Sequence, residues 1–252
     1  MQAIYPSLAD RAVLVTGGAT GIGADLVRAF AGQGARVSFL DLQDAAGEAL
    51  VAELAGQRHR PRFLRCDLTD VEALGQAIAE AGADQPISVL VNNAANDQRT
   101  PVDEITPQVW DNLMAVNLRA QFFAAQAVVP GMRRLGGGSI INMSSVAWRM
   151  AIETLAAYTT AKAGVQGLTM TLARALGPDN IRVNSIEPGA VMTERQRRLW
   201  YPTQDSVDAM LARQVIRAPI LGHDIAEMAL FLASDAARLI TKQTMVVDAG
   251  LA

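Results

Sequence analysis

Tyr158 and Lys162 are the residues whose types and spacing most directly suggest chemistry. They lie four positions apart in an alanine-rich run that is typical of a helix, and residues four apart share a helix face. An ammonium beside a phenol favours the phenolate, so we expect Lys162 to lower the pKa of Tyr158 from its usual value of about 10. Such a tyrosine could exchange a proton with a substrate. Taken alone, the pair favours the alternative of a half-buried tyrosine beside a solvated lysine.

Composition narrows the class of protein. The 252 residues carry a formal charge of −3 and half of them are apolar, which suits one α/β domain over 1–252 and argues against nucleic-acid or anionic-membrane partners. The single cysteine, Cys66, excludes an intrachain disulfide framework and fits a cytoplasmic location. We expect no signal peptide, no transmembrane helix and, with two histidines, no metal site.

Short apolar strands alternate with longer helical patterns. The predicted strands cover 12–16, 36–41, 62–67, 88–92, 139–144, 181–186 and 244–248, and the predicted helices lie near 22–33, 44–55, 71–81, 107–135, 155–176 and 224–234. This alternation predicts a single doubly wound parallel sheet of about seven strands, Rossmann-type, with helices on both faces. Residues 190–222 do not follow this alternation of strands and helices, and they contain prolines, aromatic residues and arginines. We interpret them as a substrate lid inserted over the active site.

A glycine-rich turn joins the first predicted strand to the first predicted helix. Gly17, Gly21 and Gly23 would let the backbone approach a pyrophosphate, and the helix N-terminus would offer free N–H groups and a positive dipole end. The spacing differs from the usual G-x-G-x-x-G. A glycine-rich turn without a ligand is the alternative.

Polar residues end the following strands. Asp41 would accept hydrogen bonds from a ribose diol and repel a 2′-phosphate, and residues 17–23 contain no lysine or arginine, so NAD is favoured over NADP. Asp67 could contact an adenine amino group or serve as a turn or cap residue. Asn93 and Ala94 end the fourth predicted strand, where open α/β sheets have their ligand crevice.

Together these motifs resemble the short-chain dehydrogenase/reductase family. Residues 16–23 match T-G-x-x-x-G-x-G, residues 92–95 match N-N-A-G except at the last position, and Ser145 lies 13 residues before Tyr158. Residues 188–193 match the turn that contacts the nicotinamide. The resemblance covers nearly the whole chain and implies a Rossmann-type fold, an NAD cofactor and a homotetramer.

The resemblance also implies roles for individual residues. Tyr158 would be the acid/base, Ser145 would hydrogen-bond the reacting oxygen, Lys162 would hold the nicotinamide ribose, and Asn117 would anchor a water linked to Lys162. Ser144 is the alternative to Ser145, although adjacent strand residues point to opposite faces. The implied cofactor contacts are Gly17, Thr20, Gly21, Ile22, Gly23, Asp41, Leu42, Asp67, Leu68, Asn93, Ala94, Tyr158, Lys162, Pro188, Gly189, Val191 and Thr193.

Further segments resemble bacterial aldose 1-dehydrogenases of this family, of the D-xylose type. These segments are 3–8, 92–97, 195–201 and 248–250. The resemblance implies oxidation of the C1 hydroxyl of an aldose, such as xylose, arabinose, fucose or galactose, to its lactone. The candidate sugar contacts are Asn96, Ser145, Trp148, Arg149, Glu153, Tyr158 and Gln196.

Two other functions stay open at this stage. One is a ketone or 3-oxoacyl reductase of the same family, and the other is a non-catalytic NAD-binding module. The sequence also leaves open whether Glu187, just before Pro188, faces the sheet edge or the substrate.

Overall fold

Seven parallel strands form a single sheet in the computed structural model, which describes residues 3–252. The first two residues of the predicted domain 1–252 lie outside this range. The strand order is β3-β2-β1-β4-β5-β6-β7, which confirms the predicted doubly wound sheet. The strands are β1 (Ala12–Thr16), β2 (Arg36–Asp41), β3 (Arg62–Arg65), β4 (Val89–Asn92), β5 (Gly138–Met143), β6 (Ile181–Pro188) and β7 (Thr244–Val247).

Helices connect the strands and cover both faces of the sheet. They are α1 (Gly21–Gly32), α2 (Asp44–Glu53), α3 (Val71–Ala81), α4 (Pro107–Met114), α5 (Ala120–Arg134), α6 (Ala147–Met150), α7 (Ala156–Leu176), α8 (Glu194–Leu199), α9 (Gln204–Leu211) and α10 (Gly222–Ala233). Short 3-10 turns occupy Pro6–Leu8, Val102–Glu104, Glu153–Leu155, Gly177–Asp179 and Asp235–Ala237. None of the helices within 3–252 combines the length and the apolar character needed to cross a membrane.

The predicted helix over 107–135 is one continuous helical run that changes its hydrogen-bonding pattern near the middle. A π-helical turn, Ala115–Arg119, separates α4 from α5. Within it the Asn117 side chain donates to the Leu113 carbonyl at 2.9 Å, which competes with the backbone hydrogen-bond ladder. The predicted helix is therefore confirmed, and the π-helical turn within it was not predicted because apolar periodicity does not report such a local bond.

Alternate residues of each strand supply two apolar layers. Val13 and Val15 of β1 point into the layer under α1 and α10, while Leu14 points into the layer under α3, α5 and α7. All three side chains are fully buried. This accounts for the nearly continuous apolar strands, because a parallel sheet with helices on both faces has no solvent-facing side.

The predicted insertion 190–222 contains two helices, α8 and α9. An isolated parallel bridge between Val191 and Ile220 closes its base. Thr193 caps α8 by accepting from Gln196 N at 3.2 Å. The segment therefore leaves and rejoins the sheet at the same edge, beside the end of β6.

Phe30, fully buried on α1, provides a test of the core. We expect Phe30→Ala to lower the free energy of unfolding by about 3–5 kcal/mol, because it removes a buried aromatic ring and leaves a cavity. Phe122→Ala is the matched control, since that ring is 39% exposed, and it should cost clearly less. Urea unfolding followed by circular dichroism measures both, and equal losses would contradict the assigned core.

Candidate active site

A cleft of about 1260 Å³ opens at the carboxyl edge of the sheet. It lies where β1 and β4 are neighbours, the point at which the strand order reverses and open α/β sheets bind ligands. The cleft brings together every residue predicted to contact the cofactor: Gly17, Thr20, Gly21, Ile22, Gly23, Asp41, Leu42, Asp67, Leu68, Asn93, Ala94, Tyr158, Lys162, Pro188, Gly189, Val191 and Thr193.

The glycine-rich turn has the geometry that a dinucleotide phosphate requires. A Cβ on Gly23 would lie 1.8 Å from the Gly17 carbonyl oxygen, and Gly17 itself adopts φ +64°. Thr20 precedes α1 and forms no side-chain capping hydrogen bond. The first N–H groups of α1 therefore face the cleft without a side-chain cap, and an anion could accept from them.

Asn93 holds this turn against the end of β4. Its Nδ2 donates to the carbonyls of Thr16 at 3.1 Å and Gly17 at 2.9 Å. In return, the Thr16 hydroxyl accepts from the backbone N–H groups of Asn93 and Ala94. Asn93, a predicted cofactor contact, thus holds the glycine-rich turn in place through these hydrogen bonds.

Asp41 is buried and held by backbone donors. Its carboxylate accepts from Ala19 N at 2.9 Å, Leu42 N at 2.8 Å and Gln43 N at 3.1 Å. The carboxylate is therefore fixed at the wall of the cleft beside the glycine-rich turn. Gln43 occupies the N-cap position of α2.

Asp67 lines the same end of the cleft and also stabilises a turn. One carboxylate oxygen accepts from both the hydroxyl and the N–H of Thr69, at 2.7 and 2.9 Å. These hydrogen bonds lower the pKa of Asp67. Both roles weighed from the sequence are compatible with this position.

Two backbone hydrogen bonds to β6 fix the position of Ser145. Ser144 N donates to Ile186 O at 2.8 Å, and Val146 N donates to Pro188 O at 3.2 Å. Ser144 and Ser145 both line the cleft with Tyr158. The Ser144 hydroxyl is buried and donates to Lys162 O at 2.8 Å, whereas Ser145 forms the hydrogen bond with Tyr158.

Burial dominates the titration of Tyr158 and Lys162. It raises the pKa of Tyr158 to about 12, a hydrogen bond with Ser145 acts against this rise, and the charge of Asp97 adds to it. Burial also lowers the pKa of Lys162 to about 7. The predicted lowering of the Tyr158 pKa by Lys162 was therefore wrong for this structure. Lys162 Nζ lies 5.6 Å from the tyrosine ring centre and donates to Met143 O at 2.8 Å.

Asn117 is buried and does not line the cleft. Its side chain accepts from Asn96 N at 3.0 Å and donates to Asn96 O and Leu113 O, both at 2.9 Å. Its carbonyl accepts from Gln121 Nε2 at 3.1 Å. The side chain ties the π-helical turn to the loop after β4, and this loop carries the candidate sugar contact Asn96.

Three of the predicted sugar contacts lie outside the lining of the cleft. Trp148 and Arg149 both donate to Glu187, whose buried carboxylate draws them toward the end of β6. Glu153 is exposed in the 3-10 turn Glu153–Leu155. The predicted contacts at Trp148, Arg149 and Glu153 therefore need correction. Sequence distance from Ser145 could not reveal that α6 lines the cleft with Ala147 and Met150 and not with Trp148 and Arg149.

The remaining predicted sugar contacts, Asn96, Ser145, Tyr158 and Gln196, do line the cleft. Asp97, which the sequence interpretation passed over, lines it too. Its carboxylate accepts from Arg195 Nη2 at 2.9 Å and from Gln196 Nε2 at 2.8 Å. These bonds connect the loop after β4 to α8.

A second contact joins the same two segments. The guanidinium carbon of Arg99 lies 3.7 Å from the centre of a Trp200 ring, a cation–π geometry. Both residues line the cleft. Only tertiary structure reveals this pair, since the two residues are distant in sequence. Within 3–252, no group of three or more His, Cys, Asp or Glu side chains is arranged to hold a metal ion.

Known proteins resemble this chain over nearly its full length. A family model described as Enoyl-(Acyl carrier protein) reductase matches residues 17–252. A protein named "Probable galactose dehydrogenase GalD" from Rhizobium meliloti (strain 1021) is 49% identical, covering 98% of this chain and 97% of its own. D-xylose 1-dehydrogenase from Caulobacter vibrioides is 47% identical, covering 99% and 98%.

The chain belongs to the short-chain dehydrogenase/reductase family. It is accordingly an oxidoreductase acting on CH–OH groups, and the dehydrogenases of this family use NAD or NADP. A solved structure of a blue fluorescent protein from a metagenomic library, in complex with NADPH, has a TM-score of 0.89 and 33% identity, covering 98% of this chain and 99% of its own.

The buried Lys162 should make stability depend on pH. Its pKa of about 7 in the folded chain lies below the ordinary 10.5, so between these values the unfolded chain binds a proton that the folded chain does not. The free energy of unfolding contributed by this residue should therefore rise from pH 7 toward pH 10. Above about pH 10 the raised pKa of Tyr158 acts in the opposite direction, because the unfolded tyrosine releases its proton first.

Lys162→Met isolates this contribution. Urea unfolding at pH 6.5, 8 and 9.5 should give a wild-type stability that rises relative to that of the variant. A difference between the two proteins that stays constant over this range would contradict the lowered pKa of Lys162.

Proposed function

We propose that the protein is an NAD-dependent sugar 1-dehydrogenase that oxidises the C1 hydroxyl of an aldose to the lactone. The observation that carries this proposal is the gathering of Ser145, Tyr158 and Lys162 in the cleft that also contains the glycine-rich turn. The relatives named as galactose and xylose dehydrogenases, at 49% and 47% identity, support a sugar as the substrate.

The hydroxyls of Ser145 and Tyr158 would bind the oxygen on which charge develops. Two donors already positioned toward such an oxygen stabilise it without reorganisation. Tyr158 would first pass its phenolic proton to the amine form of Lys162 and then, as the phenolate, take the proton of the C1 hydroxyl, while NAD, when bound, supplies the hydride acceptor. Lys162, with a pKa of about 7, is a mixture of amine and ammonium near neutral pH. Its amine form could receive a proton from the tyrosine and hold it beside the site.

The cleft has polar and apolar walls that suit a sugar. Asn96, Asp97 and Gln196 offer hydrogen-bonding groups, and Ile152 and Leu155 supply apolar surface on the Tyr158 side. A carboxylate and two amides can match a set of hydroxyls, and a site that hydrogen-bonds a hydroxyl strongly rejects an analogue that lacks it. The choice among xylose, arabinose, fucose and galactose would depend on these few groups.

Asp41 supports NAD over NADP. Its fixed, buried carboxylate lines the cleft beside the glycine-rich turn, where a second anion, the 2′-phosphate of NADP, would be repelled. The ribose diol of NAD could instead donate hydrogen bonds to this carboxylate. The solved relative with NADPH shares the fold at 33% identity, so the fold itself does not select between the two.

Residues 190–222 would act as a lid over the substrate. The contacts of Asp97 with Arg195 and Gln196, and of Arg99 with Trp200, close the lid against the loop after β4. Both contacts involve exposed or half-buried groups, which exchange readily with water. Opening the lid would therefore cost little, and closing it would exclude water from the reacting groups.

A reductase acting on a ketone or a 3-oxoacyl group is the second candidate function. The matching family model, described as Enoyl-(Acyl carrier protein) reductase, favours a carrier-bound acyl substrate, although the bond that its description implies is C=C and not C=O. A panel of pentoses and hexoses with NAD or NADP, run beside a carrier-bound ketoacyl substrate with NADH or NADPH, separates the two. Formation of reduced nicotinamide with an aldose supports the proposal. Turnover of the ketoacyl substrate alone would replace it.

Tyr158→Phe tests the proton-transfer role. The change removes one hydroxyl and keeps the ring, so we expect kcat to fall by about 10²–10⁴-fold while the affinity for NAD stays close to that of the wild type. Steady-state kinetics with the best aldose and calorimetric titration with NAD measure the two quantities. Tyr201→Phe, which removes a hydroxyl from another tyrosine lining the cleft, is the control. Undiminished turnover by the Tyr158 variant would refute the role.

Asp41→Asn tests the cofactor preference. The amide keeps the shape and an acceptor for Ala19 N, but it removes the charge. We expect kcat/KM with NAD to fall about tenfold and kcat/KM with NADP to rise, because hydrogen bonds to an ionised group are stronger and the repulsion is lost. Asp44→Asn is the control, since it removes the same charge from α2 outside the cleft. An unchanged NAD-to-NADP ratio in the Asp41 variant would contradict the assignment.

The homotetramer and the cytoplasmic location stay predictions from the family resemblance and the composition. Trp110 on α4, Phe122 on α5 and Met170 on α7 are 37%, 39% and 49% exposed. These are large apolar groups on the helices of the 107–134 and 156–176 runs, and pairing of these helices between subunits would remove them from water.

A further inference from the structure

Glu187 connects the elements that carry the proposed catalytic groups, and we infer that it is the positioning residue of this active site. The inference rests on the proposed function. Glu187 is fully buried at the end of β6 and does not line the cleft, so it would act through other residues. It immediately precedes Pro188 and Gly189, the turn predicted to contact the nicotinamide.

Three side chains donate to this one carboxylate. Trp148 Nε1 and Gln166 Nε2 donate to Oε1 at 2.8 and 2.7 Å, and Arg149 Nε donates to Oε2 at 2.8 Å. Both carboxylate oxygens are therefore satisfied. No water is needed to explain how a buried charge is tolerated at this position.

The three donors come from the two segments that hold the reacting hydroxyls and the amine. Trp148 and Arg149 follow Ser145 by three and four residues. Gln166 follows Lys162 by four residues on α7, and Lys162 follows Tyr158 by the same spacing, so the three share one face of the helix. One carboxylate thus fixes the position of the Ser145 segment relative to the Tyr158 helix and to the end of β6.

Gln166 extends the connection to the edge of the sheet. Its Oε1 accepts from the hydroxyl of Ser185 on β6 at 3.1 Å and from the hydroxyl of Thr244 on β7. Both ends of the Gln166 amide are therefore used, which fixes its orientation and presents its NH₂ group to Glu187. A fully satisfied buried network of this kind restricts the elements it joins to one arrangement.

The charge pairing is asymmetric. The side chain of Arg149 is 44% exposed, whereas that of Glu187 is not exposed at all. Loss of Arg149 could be compensated in part by water, but loss of the carboxylate would leave two buried or half-buried donors, on Trp148 and Gln166, without their acceptor. The carboxylate is therefore the member of the network on which the arrangement depends.

Glu187→Gln tests the positioning role. The change keeps volume but replaces one acceptor oxygen by a donor, so one donor of the network loses its acceptor and the Ser145 segment shifts relative to Tyr158. Small displacements of reacting groups cost large factors in rate. We expect kcat to fall by about 10–100-fold, with NAD affinity close to that of the wild type. The kinetic isotope effect on kcat, measured with substrate deuterated at the reacting carbon, should rise because hydride transfer becomes slower.

Two further variants keep the test decisive. Trp148→Phe removes a single hydrogen bond and retains an aromatic ring. It should lower kcat and raise the isotope effect by smaller amounts than Glu187→Gln does. It therefore still tests the positioning role if Glu187→Gln folds poorly. Arg133→Gln is the matched control, since it breaks the exposed ion pair with Asp179 far from the cleft, and it should change neither kcat nor the isotope effect.

Exchanging the side chains of positions 187 and 166 tests whether the activity lost in Glu187→Gln can be restored. In the double variant Glu187→Gln with Gln166→Glu, the hydrogen bond between positions 187 and 166 re-forms with its direction reversed, and the hydroxyls of Ser185 and Thr244 still find an acceptor. We expect kcat to recover toward the wild-type value. The recovery should be partial, because Trp148 Nε1 shares its acceptor oxygen with Gln166 and stays without it in the double variant. A double variant no faster than Glu187→Gln would overturn the role of the contact between positions 187 and 166.

The experiments distinguish failure of the Glu187 positioning role from failure of the proposed sugar 1-dehydrogenase function. All comparisons use whichever CH–OH substrate the wild-type enzyme oxidises fastest, in a panel that includes aldoses, polyols and secondary alcohols. Failure of every aldose would refute the sugar assignment alone. Wild-type kcat and isotope effect in folded Glu187→Gln and Trp148→Phe would overturn the positioning role alone.

Discussion

Parallel pairing of the strands places all their carboxyl ends along one edge of the sheet, and every part of the candidate site depends on this. The glycine-rich turn follows β1, Asp41 ends β2, Asn93 follows β4, Ser145 follows β5 and Pro188 ends β6. These residues are far apart in the chain, yet the pairing register brings them to one cleft. The crossover helices contribute in the same way, because α7 returns along the sheet and lays Tyr158 and Lys162 beside the end of β5.

Burial at that edge then determines the chemistry of the side chains. Lys162 is almost completely buried, and the loss of water lowers its pKa to about 7 while that of Tyr158 rises to about 12. Desolvation disfavours the charged form of each group and here exceeds the mutual effect of the pair. The site therefore holds a neutral phenol next to a lysine that changes its charge near neutral pH.

Polar groups within the core give the site its rigidity. Asn92 donates to Asn142 at 2.9 Å, and Asn142 donates to Thr169 of α7 at 3.0 Å, so a chain of buried hydrogen bonds crosses from β4 through β5 to the helix that carries Tyr158. The network around Glu187 performs the same task at the end of β6. In both places an apolar side chain would fill the space equally well, but it would not fix the rotation and height of α7, because apolar contacts are not directional.

The sequence by itself determined the architecture and most of the cleft. Alternating apolar strands and amphipathic helices predicted the parallel sheet, and local motifs such as the glycines of 17–23 identified the residues that line its carboxyl edge, because both depend on short-range patterns. The tertiary structure alone decided which side chains of α6 line the cleft, and hence that Trp148 and Arg149 bind Glu187 instead. It also decided the π-helical turn at Asn117 and the direction of the pKa shift of Tyr158. Each of these depends on burial and on partners distant in the chain, and no spacing of residue types along the sequence encodes the balance between desolvation and a nearby charge.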